Sequence, residues 1–197
     1  MPETIPYGKQ SISESDIESI ARVLRSDYLT QGPTVPAFEK AVAKKSNSQY
    51  PVAVNSATSA LHIACLVLGV GAGDAVWTSP NTFVATANCA RYCGASVDFV
   101  DIDSRTWCMS TEKLRTKLEH HQAASLPLPK VVIPVHLSGQ SCDMREISEL
   151  GKKYGFHIIE DASHAIGGTF QNIYVGSCVY SDITVFSFHP VKIITTG

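Results

Sequence analysis

The chain of 197 residues is short of charge: Asp, Glu, Lys and Arg make up 17% of it, against roughly 25% in soluble proteins at large. Its net charge is −2, so the basic footprint by which proteins hold nucleic acid is missing. The one cationic cluster, Lys40 to Lys45, reads as a solvated helix face. No run of roughly 18 apolar residues occurs, so no transmembrane helix is expected. The N-terminal MPETIPYGKQ lacks the basic-then-apolar order of a secretory leader. A cytoplasmic protein without membrane or nucleic-acid partners is therefore expected. Neither GxxxxGK[ST] nor GxGxxG is present, which argues against a nucleoside triphosphate or a dinucleotide as ligand. The six cysteines, Cys65, Cys89, Cys93, Cys108, Cys142 and Cys178, form no CxxC pair. Cys89 and Cys93 are one helical turn apart, but no second pair accompanies them. Buried free thiols are expected, and no metal site. Internal repeats, low-complexity tracts and a clear linker are also absent.

What is present is apolar and alternating. Hydrophobic residues make up 44%, enough for one sizeable core. Ser13 to Ser26 has helical periodicity with Ile17, Ile20, Ala21 and Leu24 on one face, and Ser13 with Asp16 resembles a capping box. Residues 28–33, ending in Gly-Pro, read as a loop, and Val35 to Lys45 as a second helix. PVAVNS (51–56) reads as a short strand, followed directly by a helix over Ala57 to Leu68. Further strands are expected in the run ending at WTSP, in SVDFVDID, KVVIPVH, FHIIED and DITVFSF. Helices are expected over Phe83 to Tyr92, Thr111 to His121 and Met144 to Tyr154, and a small hairpin around Gln171-Asn172. Strand–helix alternation with strands apolar on both faces predicts an α/β fold, a mostly parallel sheet with helices on both faces. In such sheets ligands bind beyond the carboxyl ends of the strands.

Four pieces with chemical content fall at those ends. Asn55-Ser-Ala-Thr-Ser-Ala60 opens a helix, where free N–H groups and a partial positive charge suit a phosphate; Thr58 and Ser59 add hydroxyl donors, or the segment is a plain Ser/Thr cap. Phe83, in PNTFV, is either a core residue or a ring to stack on a flat heterocycle. Asp161 closes the apolar run FHII and needs a partner if buried: a protonated pyridine nitrogen, or the N–H groups of a following helix. His164 stands three residues on, within reach of a phenolate oxygen or satisfied structurally. Ser187 and Lys192 lie in SFHPVKIITT; the apolar neighbours Val191, Ile193 and Ile194 argue against a solvated Lys192. A buried or cation-flanked lysine kept partly neutral serves as an amine nucleophile and base. Phosphate loop, aromatic, acid and lysine in that order suggest a pyridoxal phosphate (PLP) site.

YLTQG, NSATSALHIA, PNTFVATAN, EDASHAIGG, VGS and FSFHPVKIITTG resemble the DegT/DnrJ type of sugar-nucleotide aminotransferases, fold-type I PLP enzymes, over effectively the whole chain. The resemblance implies Lys192 as the catalytic, cofactor-linking lysine and Asp161 as the partner of the pyridine nitrogen. It implies a phenolate contact for His164, where many relatives carry glutamine, phosphate contacts for Thr58, Ser59 and Ser187, and ring stacking for Phe83. Tyr7, Asp27, Tyr28, Leu29, Thr30, Ala57 and Ser187 match positions lining the substrate side. NSATSAL, FVATAN, SHAIG and SFHPVKIITT look most like the pseudaminic acid branch. That branch aminates a UDP-linked 4-keto-6-deoxy-N-acetylhexosamine to UDP-4-amino-4,6-dideoxy-N-acetyl-β-L-altrosamine with L-glutamate, in cell-surface polysaccharide synthesis. Another UDP- or dTDP-keto sugar, or a PLP-binding remnant or regulator, are the alternatives. A dehydratase of the same type would carry histidine in place of Lys192. The implied organisation is an N-terminal helix and substrate-side loop over residues 1–34 and a PLP-binding large domain over 35–197. Relatives continue into the rest of that domain and a small C-terminal domain, and form homodimers. The 197-residue chain is thus expected to be truncated, and inactive or poorly folded by itself.

Overall fold

The computed structural model describes residues 9–196; Tyr7 and Gly197 lie outside the described residues. Helix α1 (Glu14–Leu24) starts at the expected capping box. The Ser13 side chain accepts from the Asp16 N–H, and the Asp16 carboxylate accepts in return from the Ser13 N–H at 2.8 Å. Helix α2 (Thr34–Ser46) follows the Gly-Pro break and ends on Asn47 in the left-handed conformation. Helix α3 (Ala57–Val67) leads to strand β1 (Ala75–Thr78), α4 (Ala85–Tyr92), β2 (Ser96–Phe99), α5 (Thr111–Ala123) and β3 (Val131–Ile133). After the 3₁₀ turn Leu137–Gly139 come α6 (Met144–Tyr154), β4 (His157–Asp161), the hairpin β5 (Thr169–Phe170) and β6 (Ile173–Tyr174), and β7 (Ile183–Val185).

Five strands form one sheet in the order β2-β1-β3-β4-β7, with every pairing parallel. Parallel neighbours require crossovers, and these are the expected helices. Because strand side chains alternate between faces, each strand feeds two cores. Trp77, Val132 and Ile158 meet Leu114 and Leu118 of α5 and Met144, Ile147 and Leu150 of α6. Val76, Val131, Ile133, Ile159 and Val185 meet Leu61, Ala64 and Cys65 of α3 and Ala85, Cys89 and Ala90 of α4. Each fully buried Leu or Ile in these layers contributes about 1.5–3 kcal/mol. Helix α6 shows how the sequence writes its own limits: Asp143 caps it by accepting from the Glu146 N–H at 3.2 Å, Met144, Ile147, Ser148, Gly151 and Tyr154 line its buried face, and Gly155, left-handed at φ 80°, stops it.

Several expectations are corrected. Residues 51–56 join no strand; the Ala53 N–H is taken by Glu39 Oε1 at 2.8 Å rather than by a neighbouring strand. The last strand is three residues long, Ile183–Val185, because Phe186 leaves the sheet to pack beside Ala162, Ala165 and Val175, and Phe188 meets Phe38 edge-on at 5.0 Å. The hairpin turns as expected on Gln171 and Asn172, both at positive φ (50° and 65°), the pairing a type I′ turn requires. Four cysteines are buried free thiols, with Cys65 and Cys89 in sulfur contact at 3.6 Å, but Cys93 is half-buried and Cys178 is exposed. The apolar stripe of α1 exists, yet Ile17, Ile20 and Leu24 are exposed. Within the described residues no helix is long and apolar enough to cross a membrane.

Candidate active site

Strand alternation decides what the adjacent acids Glu160 and Asp161 do. Ile159 faces the α3–α4 layer and Ile158 the α5–α6 layer, so Asp161 projects toward α4 and Glu160 to the opposite side. The Asp161 backbone is fixed by its neighbours: its N–H donates to Pro134 O at 2.9 Å, and its carbonyl accepts from the His136 N–H at 3.0 Å. Its carboxylate is buried. Oδ1 accepts from the Ser163 N–H (3.2 Å) and hydroxyl (2.6 Å), and Oδ2 from the Thr86 hydroxyl at 2.6 Å. Thr86 in turn shares a 2.7 Å hydrogen bond with Thr82, one helical turn earlier. A carboxylate offers about four acceptor sites; three are filled, and the open one is on Oδ2. All three donors are neutral. Among the described residues Asp161 forms no ion pair, so a cationic N–H donor matches both its charge and its vacant acceptor.

After the hairpin and the last strand, the chain brings back a lysine 28 residues beyond His164. Lys192 Nζ lies 2.8 Å from His164 Nε2, and His164 Nδ1 accepts from the Ser138 N–H at 3.2 Å. Lys192 is half-buried, while Val191, Ile193 and Ile194 are exposed. The expectation that apolar neighbours would cover the lysine is therefore reversed: the loop turns its apolar side chains outward and the amine inward. Burial chiefly, and then the positive charge of Lys192, push the His164 imidazole below its ordinary value, against the opposing pull of Asp161. The Ser138 turn is itself unusual. Ser138 is left-handed (φ 53°, ψ 23°), a conformation that costs a non-glycine residue of order 1–3 kcal/mol. It is braced from below by His136, which is fully buried. His136 Nε2 meets Glu160 Oε2 at 2.7 Å, and its Nδ1 accepts from the Cys142 N–H at 3.2 Å.

The remaining expected residues lie around this cluster to different degrees. Ser56, not Thr58 or Ser59, caps α3: its side chain accepts from the Ser59 N–H at 3.2 Å and contacts the Ser59 hydroxyl at 3.1 Å. Thr58, Ser59 and Ala57 are half-buried in the first turn, where the helix end is electropositive. Helix α3 packs on α4, β4 and β7, so this end belongs to the same layer as Asp161. Phe83 is 70% exposed, which removes the core reading and leaves its ring open to a partner. Ser187 is buried, its hydroxyl accepting from the His189 N–H at 3.4 Å. Asp27, Tyr28, Leu29 and Thr30 are exposed. Thr82, Thr86, Ser163 and Ser138 were not singled out from the sequence. The spacing of Thr82 and Thr86, one helical turn within a motif already noted, was a usable signal; the Ser138 conformation had none.

A model of the DegT/DnrJ/EryC1/StrS aminotransferase family matches residues 10–197. The chain belongs to that family. It is 40% identical over 193 residues to the spore coat polysaccharide biosynthesis protein SpsC of Bacillus subtilis, covering 98% of this chain and 47% of the relative. Among solved structures it is similar to Helicobacter pylori PseC, an aminotransferase of pseudaminic acid biosynthesis (TM-score 0.88, 29% identity, 98% of this chain and 50% of that one). It is also similar in fold to Spr1654 of Streptococcus pneumoniae in its PLP form (TM-score 0.85, 30% identity, 98% and 51%). The chain thus spans about half the length of the relatives it matches.

Proposed function

We propose that this chain carries the cofactor site of a PLP-dependent sugar-nucleotide aminotransferase that uses L-glutamate to aminate a UDP-linked 4-keto-6-deoxy-N-acetylhexosamine, with UDP-4-amino-4,6-dideoxy-N-acetyl-β-L-altrosamine as product. The observation that carries the reading is a buried carboxylate (Asp161) without an ion pair among the described residues, and an inward-turned amine (Lys192) paired with His164, whose imidazole feels the Asp161 charge. When bound, PLP supplies an aldehyde that condenses with amines and a ring that accepts electron density.

The chain's own residues then have distinct work. Asp161, held by Thr86 and Ser163, would accept from a protonated ring nitrogen and stabilise its positive charge. The first turn of α3, with Thr58 and Ser59, and the Ser187 hydroxyl would take the phosphate. Phe83 covers one face of the ring. His164 meets the phenolate oxygen. Lys192 would hold the cofactor through Nζ and, as a free amine, would serve as the base that takes up and returns a proton. Tyr7, Asp27, Tyr28, Leu29, Thr30 and Ala57 border the sugar nucleotide. Residues 1–34 form the substrate-side segment and 35–197 the cofactor-binding domain, in a homodimer. The exposed Ile17, Ile20, Leu24, Val67 and Tyr92 supply apolar surface for such an assembly.

The test is spectroscopic. The purified protein, loaded with PLP, is mixed with L-glutamate and the cofactor spectrum followed, then supplied with UDP- and dTDP-linked 4-keto sugars and the products identified by mass. A glutamate-dependent spectral change that Lys192→Ala abolishes is expected, with turnover of the UDP sugar. An unchanged spectrum overturns the aminotransferase reading; turnover of the dTDP sugar alone overturns the substrate.

A further inference from the structure

The hydrogen bonds around His164 constrain where its proton sits. A backbone N–H can only donate, so the Ser138 N–H at 3.2 Å requires a lone pair on His164 Nδ1. A neutral imidazole then carries its proton on Nε2, and that nitrogen faces Lys192 Nζ at 2.8 Å. An ammonium has three N–H groups and no lone pair, so it would oppose N–H to N–H across this distance. A neutral amine accepts the hydrogen bond without conflict. The imidazolium is disfavoured on the same ground, because it would place a proton on Nδ1 against the Ser138 N–H.

We propose that the Ser138 turn fixes His164 in the tautomer protonated on Nε2, and that this N–H donates a hydrogen bond to Nζ of Lys192, so that the histidine positions the lysine amine. His164 is thereby a positioning residue for Lys192, an assignment that rests on the aminotransferase reading above.

The turn is built for the purpose in three respects. Ser138 holds its left-handed backbone although it is not glycine. Gly139, at φ 89°, lies so close to the His164 carbonyl that an added Cβ would meet it at 3.1 Å, so the turn is pressed against the histidine. His136, clamped between Glu160 and the Cys142 N–H, anchors the strand end from which the turn departs. The groups around Lys192 and His164 have partners of their own. Asp161 is engaged by Ser163 and Thr86 and makes no ion pair with Lys192 among the described residues. The His189 carbonyl accepts from the Lys192 N–H at 2.8 Å, and His189 Nδ1 accepts from the Val191 N–H. Burial also favours the uncharged imidazole.

Two measurements on the cofactor-free protein test this, and neither depends on turnover. Nitrogen-15 NMR of the histidine rings at neutral pH is expected to show His164 with an unprotonated Nδ1 and a protonated Nε2. A proton on Nδ1, alone or with Nε2, overturns the proposal. Competitive labelling with an amine-directed anhydride, read by peptide mass spectrometry, is expected to show Lys192 reacting about tenfold more slowly in His164→Ala than in the parent, the loss of one hydrogen bond, with the exposed Lys44 unchanged. Equal or faster labelling of Lys192 in that variant overturns it. Failure of either leaves the glutamate-dependent spectral change untouched, so the two readings fall separately.

Discussion

Replacing Thr86 by valine isolates the bond that orients Asp161. The Thr86 side chain is fully buried and donates to Asp161 Oδ2 at 2.6 Å. Valine preserves the branched shape and removes only the donor. A hydrogen bond to a charged group contributes about 1.5–3 kcal/mol, and the acceptor left behind is buried and stays undersatisfied. Thr82 also loses its 2.7 Å partner. A loss of about 2 kcal/mol is expected, which in a chain of this size lowers Tm by roughly 4–8 °C. Thr86→Ser keeps the hydroxyl and is expected to recover most of the loss, forfeiting only a methyl group. Urea unfolding followed by circular dichroism measures both variants, and PLP titration shows whether a loosened carboxylate captures the cofactor more weakly. A Thr86→Val stability within about 0.5 kcal/mol of the parent, the range of an ordinary surface change, refutes the claim that this hydroxyl holds Asp161.

Gly176 is held at φ 95°, and a Cβ there would lie 2.5 Å from Phe186 Cζ and 2.9 Å from Ser46 Cβ. Gly176→Ala combines left-handed strain with a clash and is expected to cost more than about 2 kcal/mol; an unchanged thermal melt would show that the hairpin and α2 separate freely. Glu160 gives a pH signature. Burial pushes its carboxyl up, but the hydrogen bond and charge of His136, with the Ser181 and Thr184 hydroxyls, outweigh this and hold it below its ordinary value of 4.5. A carboxyl depressed in the folded state stabilises above its unfolded value, and that contribution is lost as pH falls through 4.5 toward the lower folded one. Glu160→Gln is expected to flatten the acid limb of the stability curve below about pH 4.5; parallel limbs in the two proteins would exclude Glu160 from acid unfolding.

How much of this was legible in the sequence depends on whether a feature is local. Helix α6 was readable to the residue, since its cap, buried face and terminating glycine lie within its own span. The hairpin turn was equally local. The strands were read too long because an apolar run reports burial, not pairing. Phe186 and Phe188 are covered by the 162–175 segment and by Phe38, and residues 51–56 find a carboxylate, Glu39, where a strand would have found a backbone. Asp161 and Lys192 were chosen as residue types at strand ends, and the structure turns both inward. The reasoning for Lys192 through its apolar neighbours was wrong, since a loop has no fixed alternation to carry burial from one residue to the next.

The segment Glu160 to His164 shows why order along the chain cannot supply the rest. Two adjacent acids fall on opposite faces of one strand. Glu160 reaches back to His136, 24 positions earlier; Asp161 reaches Thr86, 75 positions earlier; His164 joins Ser138 and Lys192, 26 and 28 positions away in opposite directions. Glu160 lies on the opposite face of the strand from Asp161, yet it fixes the residue from which the Ser138 turn leaves the sheet, and that turn sets which nitrogen of His164 is free. Hydrogen-bonded elements of this kind are decided by partners from four separate segments meeting at one sheet edge. A change at Glu160 or His136 should therefore be felt first in the orientation of His164, on the far face of the sheet from the altered side chain, before it is felt in the global stability of the fold.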